Sequence, residues 1–322
     1  MSKWRLLRRG TSAMASRDGN GWVRCALGHR HWGRFGAAGL LAYVTGGPVL
    51  LQRRTWWSHH GGTWGLPGGA RDSHESALTA ALREAHEECG VPPGAVSQRA
   101  VFTDDHGGWS YTSVLAEADE PFTAHSDDEE TDEVAWVPAE AVATLGLHPG
   151  LAAHWPELAA QLSPVTIIVD GANVVGSRPD GWWRDRVGAT VRLADELAQW
   201  GTEGLTALPA GMAAAAAAPD GVRPDDDGTG ELARMADGKT HLRWLPDVVL
   251  VVEGAARPAA DAPVSGPVRV LAAPALGDDT IAVLAGHTPG RRIVITADRE
   301  LRERCLAVGA AVAGPGWLLG QL

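Results

Sequence analysis

Three glutamates, Glu84, Glu87 and Glu88, stand at i, i+3 and i+4 in a stretch rich in Ala, Leu and Glu. A helix there carries all three on one face. Carboxylates that close repel one another, and a cation among them removes the repulsion. An all-oxygen donor set suits Mg²⁺ or Mn²⁺, with phosphate oxygens filling the remaining positions. Arg83 lies four residues before Glu87 and eight after Glu75. Its planar guanidinium is placed to pin one carboxylate through two nitrogens and so orient the cluster. The glycines ahead of the helix let the backbone approach a bound group closely. The plain alternative is a solvent-facing helix with a charged surface.

The longer string decides between these. Gly69 is followed by five residues, Glu75, seven residues, Arg83-Glu84, Ala85, His86, Glu87-Glu88, Cys89, Gly90 and Val91. This pattern resembles the Nudix box at every fixed position, with Ala85 smaller than the usual aliphatic. Trp64-Gly65-Leu66-Pro67-Gly68-Gly69 before it and Trp136-Val137-Pro138 after it also look like the family. The resemblance covers about residues 35–162. It implies an α/β/α sandwich with a mixed sheet, and divalent metal on Glu84, Glu87 and Glu88. It further implies water attacking phosphorus in a nucleoside diphosphate derivative or nucleoside triphosphate. Glu87 or Glu88 is then the proton acceptor, and Arg83 orients the carboxylates. Gly69, Glu75 and Gly90 shape the box. Arg53 and Arg54, at the end of a strand, and Trp64 are candidates for contacting phosphate and base. Glu129 or Glu130 is a candidate extra metal carboxylate.

A second constellation lies in the other half. Asp170 and Asn173 follow an apolar run, Val165–Val169. Glu253 follows another, Asp278-Asp279 open a helical stretch, and Asp298 comes just after Arg292–Thr296. In a parallel sheet, the carboxyl ends of strands gather at one edge, where ligands bind. Ordinary capping explains each Asp singly. Together they resemble the PIN-like nucleases, nearest the NYN branch, over residues 165–322. That resemblance implies a second metal site built from Asp170, Asn173, Glu253, Asp278, Asp279 and Asp298, with RNA as partner. Glu253 departs from the Asp usual there. Two alternatives to a simple nucleotide hydrolase follow. One joins 5′-end pyrophosphohydrolysis to ribonuclease cleavage; the other makes the C-terminal half a non-catalytic binding module.

The elements needed to position these residues are legible. Ala37–Val44 and Pro48–Gln52 flank Gly46-Gly47 as a hairpin. A glycine loop spans Gly61–Gly69, and a helix spans Ser73–Glu88, ended by Gly90. Strands are expected at Val96–Thr103, Tyr111–Ala116 and Glu133–Val137, with helical segments at Ala139–Leu145 and Pro156–Leu162. Beyond Ser163-Pro164, strands and helices alternate, which predicts an α/β domain with a parallel sheet. The expected organisation is a partly ordered lead-in over 1–34, one domain over 35–162 and another over 163–322. A flexible insertion is expected at about 206–230.

Weaker signals remain. Cys25, His29 and His31 offer three zinc ligands, but no fourth stands nearby in the sequence. Trp56, Trp57 and Trp182-Trp183 are packing residues or stacking platforms. The net charge is −11, with 13 basic and 19 acidic residues in 1–162 and 15 and 20 in 163–322. Neither half carries the excess of Lys and Arg that a broad nucleic-acid face needs. Three widely spaced cysteines argue against a disulfide framework. No apolar run approaches the ~20 residues of a membrane span. A cytoplasmic location is the expectation, and oligomeric state is not legible.

Overall fold

The apolar runs form strands because both faces of each sheet are covered. The computed structural model describes residues 17–126, 130–209, 212 and 238–322. Its first large sheet is built around β3 (Ala37–Tyr43) and β4 (Pro48–Arg54). β5 (Trp64–Gly65), β6 (Gly68–Ala70), β7 (Ser97–Asp105), β8 (Ser110–Glu117) and β9 (Thr131–Pro138) complete its N-terminal part. With β11 (Lys239–Trp244) at its edge, the strand order is β11-β7-β8-β3-β4-β5, with β6 on β3 and β9 on β4. β3 and β8 run parallel while the other pairings are antiparallel, so the sheet is mixed.

Alternation along β3 divides two cores. Ala38, Leu40 and Ala42 face α1 (Ala77–Cys89). Leu41 and Tyr43 face Leu151, Trp155 and Leu158 of α2 (Pro149–Ala159). α2 begins seven residues earlier than the sequence suggested. Pro149 occupies the first turn, where a missing N–H costs nothing. His148 Nδ1 accepts from the Gly150 N–H, and Pro156 lies inside the helix.

The second sheet is wholly parallel, in the order β13-β12-β10-β14-β15. Its strands are β10 (Val165–Asp170), β12 (Asp247–Val252), β13 (Val268–Ala272), β14 (Arg291–Ile295) and β15 (Ala311–Ala313). Between β10 and β12 come α3 (Gly171–Gly176) and α4 (Arg186–Glu203). α5 (Gly277–His287), α6 (Arg299–Ala307) and α7 (Pro315–Leu319) follow. Ile167 and Val169 pack toward α4, and Ile168 toward α5 and α6.

The two halves are joined by a strand absent from the sequence reading. β11 (Lys239–Trp244) lies between α4 and β12 in the chain, yet it pairs antiparallel with β7 of the first sheet. Its alternating pattern, exposed except at Leu242 and Trp244, is that of an edge strand. Trp244 packs against both the first sheet's core and that of the second. Arg99 of β7 bridges Glu117 and Asp247, each at 2.8 Å. A division at residue 163 therefore does not match hydrogen-bond connectivity.

The expected lead-in also differs. Residues 1–16 lie outside the described residues. Residues 17–34 include a hairpin, β1 (Trp22–Arg24) and β2 (Arg30–Trp32). The expected insertion at 206–230 lies outside the described residues except for 206–209 and Met212. No described helix is long and apolar enough to cross a membrane.

Candidate active site

α1 starts four residues later than expected. Ser76, not Ser73, is its N-cap, and the Ser76 hydroxyl accepts from the Thr79 N–H at 3.0 Å. Gly90 ends the helix with φ +64°, donating its N–H to Ala85 and His86 carbonyls. Ala80, Ala81, Ala85 and Cys89 form its buried face. The smallness of Ala85 is accommodated by close packing of the helix on β3 and β8. Cys89 belongs to that face, and burial and the neighbouring Glu88 push its thiol far up.

Because the helix begins at Ala77, Glu75 lies in the preceding turn. There it takes a two-point grip from Arg83, with Nε to Oε1 at 2.7 Å and Nη2 to Oε2 at 2.9 Å. The Asp72 N–H adds a third donor at 3.1 Å. Arg83 hydrogen bonding holds Glu75 below the ordinary glutamate range. Arg83 also donates to Glu84 at 2.6 Å and to the Ala70 carbonyl at 3.2 Å. The Gly69 position is crowded: a Cβ there would meet the Glu84 carboxylate at 2.7 Å.

The three glutamates occupy different environments. Glu88 is buried, and its Oε2 accepts from the Gly68 N–H at 2.7 Å and from Gln52 at 2.8 Å. Burial first, then the charge of Glu84, lifts Glu88 to about 8 despite those donors. Burial likewise raises Glu84, against the pull of Arg83. Glu87 is more open. Arg17 meets both of its oxygens at 2.7 Å, and Arg83 approaches at 3.5 Å.

A cavity of about 160 Å³ opens on the α2 side of the sheet, with Leu151, His154 and Leu158 in its lining, and reaches the box through Gly68, which donates to Glu88. Arg54, Leu66, Gly68 and Tyr111 line the part nearest the box; His31, His106 and Trp109 also line it. Tyr111 is part-buried, and its hydroxyl is pushed up by burial and by Glu88. Arg53 and Arg54 diverge at a register shift between β4 and β9. Arg54 joins the cavity and donates to the His59 carbonyl, whereas Arg53 pairs with Glu133 at 3.5 Å. Trp64 packs against the α2-side core instead of lining the cavity. Trp56 and Trp57 are exposed. Glu129 lies outside the described residues, and the Glu130 carbonyl accepts from the Thr55 N–H.

Sequence reasoning missed Gln52, Arg17 and Trp109. Gln52 had a signal, being the one amide in an apolar strand run. Its Oε1 accepts from Thr131 while its Nε2 holds Glu88. Arg17 and Trp109 had none, since their partners lie 70 and 77 residues away.

Asp170, Glu253, Asp278 and Asp298 come together at one sheet edge. Asp170 accepts from the Asn173 N–H at 3.0 Å and from the Thr296 hydroxyl at 2.9 Å. The Asp298 N–H donates to Thr296, and the Ala297 N–H donates to the Asn173 side-chain oxygen. Glu253 accepts from the Gly277 N–H at 2.6 Å. Burial first, then Glu253 and Asp298, raises Asp170 against its donors. Burial, Asp170, Asp298 and Glu253 raise Asp278. Asp279 turns away to Arg304 at 2.8 Å.

Comparison with known proteins places this site in a family. The family model described as "NUDIX domain" matches residues 33–158. A Mycobacterium tuberculosis protein described as "Putative 8-oxo-dGTP diphosphatase 3" is 46% identical over 160 residues, covering 47% of this chain and 72% of the relative. A Bifidobacterium longum "Nucleoside triphosphate pyrophosphatase/Nudix hydrolase fusion protein" is 40% identical over 152 residues, 45% of this chain and 32% of that protein. The crystal structure of a Nudix hydrolase from M. smegmatis, RenU, is 49% identical with TM-score 0.41, covering 44% of this chain and 92% of that one. The chain belongs to the Nudix hydrolase family.

Proposed function

We propose that the protein hydrolyses a phosphoanhydride bond in a nucleoside triphosphate or nucleoside diphosphate derivative, using divalent metal at Glu84, Glu87 and Glu88. The carrying observation is the pair of mutually repelling carboxylates on one helix face, buried Glu88 and part-buried Glu84, with Glu88 held by Gly68, which lines a cavity together with Arg54. Such a donor set fits Mg²⁺ or Mn²⁺, whose charge offsets both burial and repulsion. When bound, the cation lowers the pKa of coordinated water and neutralises phosphate charge.

The chain's residues do the rest. Gly68 and Gln52 fix the Glu88 carboxylate. Arg83 ties Glu84 to the turn carrying Glu75. Arg54 offers a positive charge to phosphate oxygens. Glu87, the most open of the three, accepts the proton of the attacking water. The substrate proposed first is an oxidised purine nucleoside triphosphate, in line with the name of the M. tuberculosis relative.

The test is a panel of nucleotides incubated with Mg²⁺, reading released phosphate and pyrophosphate. Glu87→Gln should lower kcat by roughly 10²–10⁴-fold while the thermal transition stays in place. Unchanged turnover in that variant sinks the assignment.

A second reading is favoured by the acidic edge around Asp170. The second sheet's order reverses between β10 and β14, and ligands bind outside the carboxyl ends at such a point. Asp170, Asp278, Asp298 and Glu253 there make a PIN-like, metal-dependent cleavage site for single-stranded RNA. Asp170→Asn in the full chain should remove RNA cleavage in Mg²⁺ or Mn²⁺ and leave nucleotide hydrolysis intact. Intact RNA after incubation with the wild type leaves the C-terminal half as a non-catalytic module.

A further inference from the structure

We propose that Cys25, His29, His31 and His106 form a closed zinc site that ties the N-terminal hairpin to the rim of the cavity. The hairpin turn places Cys25 and His29 at its two shoulders. The Cys25 N–H donates to the His29 carbonyl, and the Gly28 N–H to the Cys25 carbonyl, each at 3.0 Å. Gly28, with φ +85°, permits the tight reversal. His31 lies two residues past His29 and so shares its face of the strand. The fourth residue arrives from 75 positions further along. His106 begins the turn between β7 and β8, which docks on the hairpin at two points. The Ala26 N–H donates to the Gly107 carbonyl at 2.7 Å, and the Trp109 indole to the Trp32 carbonyl at 3.1 Å.

One ligand atom from each of the four side chains lies within 4.8 Å of all the others. The three imidazoles do not stack. His29–His31, His29–His106 and His31–His106 stand at 67°, 69° and 73° to one another, with centroids 6.1, 5.8 and 4.8 Å apart. Rings arranged edge-on around one point suit a tetrahedral cation. A second observation is independent of that spacing. His29 Nδ1, His31 Nε2 and His106 Nδ1 are all buried with no hydrogen-bond partner among the described residues. Buried ring nitrogens are nearly always satisfied, and three orphans in one group point to a missing electrophile.

The hydrogen bonds behind the ligands agree. His106 Nε2–H donates to the buried Asp104 carboxylate at 2.8 Å, which leaves Nδ1 as the lone-pair atom. His154 donates to the same Asp104 oxygen at 3.2 Å. A carboxylate behind a ligating histidine fixes its tautomer and ring orientation. Cys25 is buried and free of any disulfide. One sulfur and three imidazole nitrogens suit zinc, whereas Mg²⁺ wants oxygen. Four protein ligands leave no position for substrate, so the zinc is structural. It secures a wall of the cavity: His31 and His106 line it, and Trp109 lies flat on His31 at 3.9 Å and 8°. The site stands whether or not the proposed substrate is correct.

The test is elemental analysis of the full-length protein, purified without a metal-chelating tag or chelator. It should carry one zinc per chain, retained in Glu84→Gln and lost in Cys25→Ser and His106→Ala. Cobalt-grown wild type should show the visible bands of tetrahedral cobalt with a thiolate charge-transfer band. Titrating wild-type thiols with an organomercurial should release zinc in proportion, a measurement that needs no variant. Wild type without zinc after dialysis against the ion, or zinc retained in both ligand variants, overturns the proposal.

Discussion

Arg83 and Gly69 show how much of the box is devoted to aiming carboxylates. Glu75 gives both oxygens to Arg83, which then holds Glu84 at 2.6 Å. Glu75→Gln should lower stability by about 1.5–3 kcal/mol, the range for hydrogen bonds to charged groups. The folded carboxyl is depressed below its ordinary 4.5. The stabilisation is therefore full above pH 4.5 and disappears as pH falls through the folded value. Thermal melts of wild type and variant across pH 3–7 should converge at the acid end. Gly69→Ala drives a methyl into the Glu84 carboxylate and should depress kcat more than it lowers Tm. Equal activity in that variant would mean that Glu84 can be displaced without consequence. Spacing suggested that Arg83 grips a carboxylate, whereas the parts of Glu75 and Gly69, which lie ahead of the helix, came with the resemblance to the Nudix box. Gln52 and Arg17 had no such ruler, since strand-to-helix and terminus-to-helix contacts carry no fixed interval.

At the scale of elements, periodicity predicted most strands and helices, and capping chemistry moved their ends. The late start of α1 follows from Ser76, whose hydroxyl meets the Thr79 N–H and frees Glu75 for Arg83. Ser76→Ala should cost about 1 kcal/mol, measurable by urea unfolding. Besides the β1–β2 hairpin, the element that escaped notice was β11. Its sequence, Lys-Thr-His-Leu-Arg-Trp, has only two shielded side chains and looks like a polar loop. Edge strands are often so marked, because polar side chains discourage pairing with other molecules. Only the vacant side of β7 turns that segment into a strand.

For the whole molecule, β11 makes the two sheets one connected structure. Trp244 packs on both cores and its indole donates to Gln161 at 3.1 Å. Arg291 of the second sheet also donates to Gln161, and to the Ala160 carbonyl. Trp244→Ala should therefore destabilise both halves, by about 3 kcal/mol, at the lower end for large aromatic truncations. Calorimetry should show wild type unfolding in one transition and the variant in two, separated melts. A single, lower transition would mean that the coupling is carried elsewhere.

The sequence by itself determined the glutamate helix, its arginine clamp and the parallel sheet of the second half. These depend on local period: 3.6 residues for the helix, and unbroken apolar runs for strands covered on both faces. It also offered Cys25, His29 and His31 as three zinc ligands, but left them one ligand short and gave no hairpin to carry them. Tertiary structure alone supplied His106, brought β11 to β7 and chose Arg54 over Arg53 for the cavity. Each of those depends on which segments pack together, a long-range matter that no local spacing encodes.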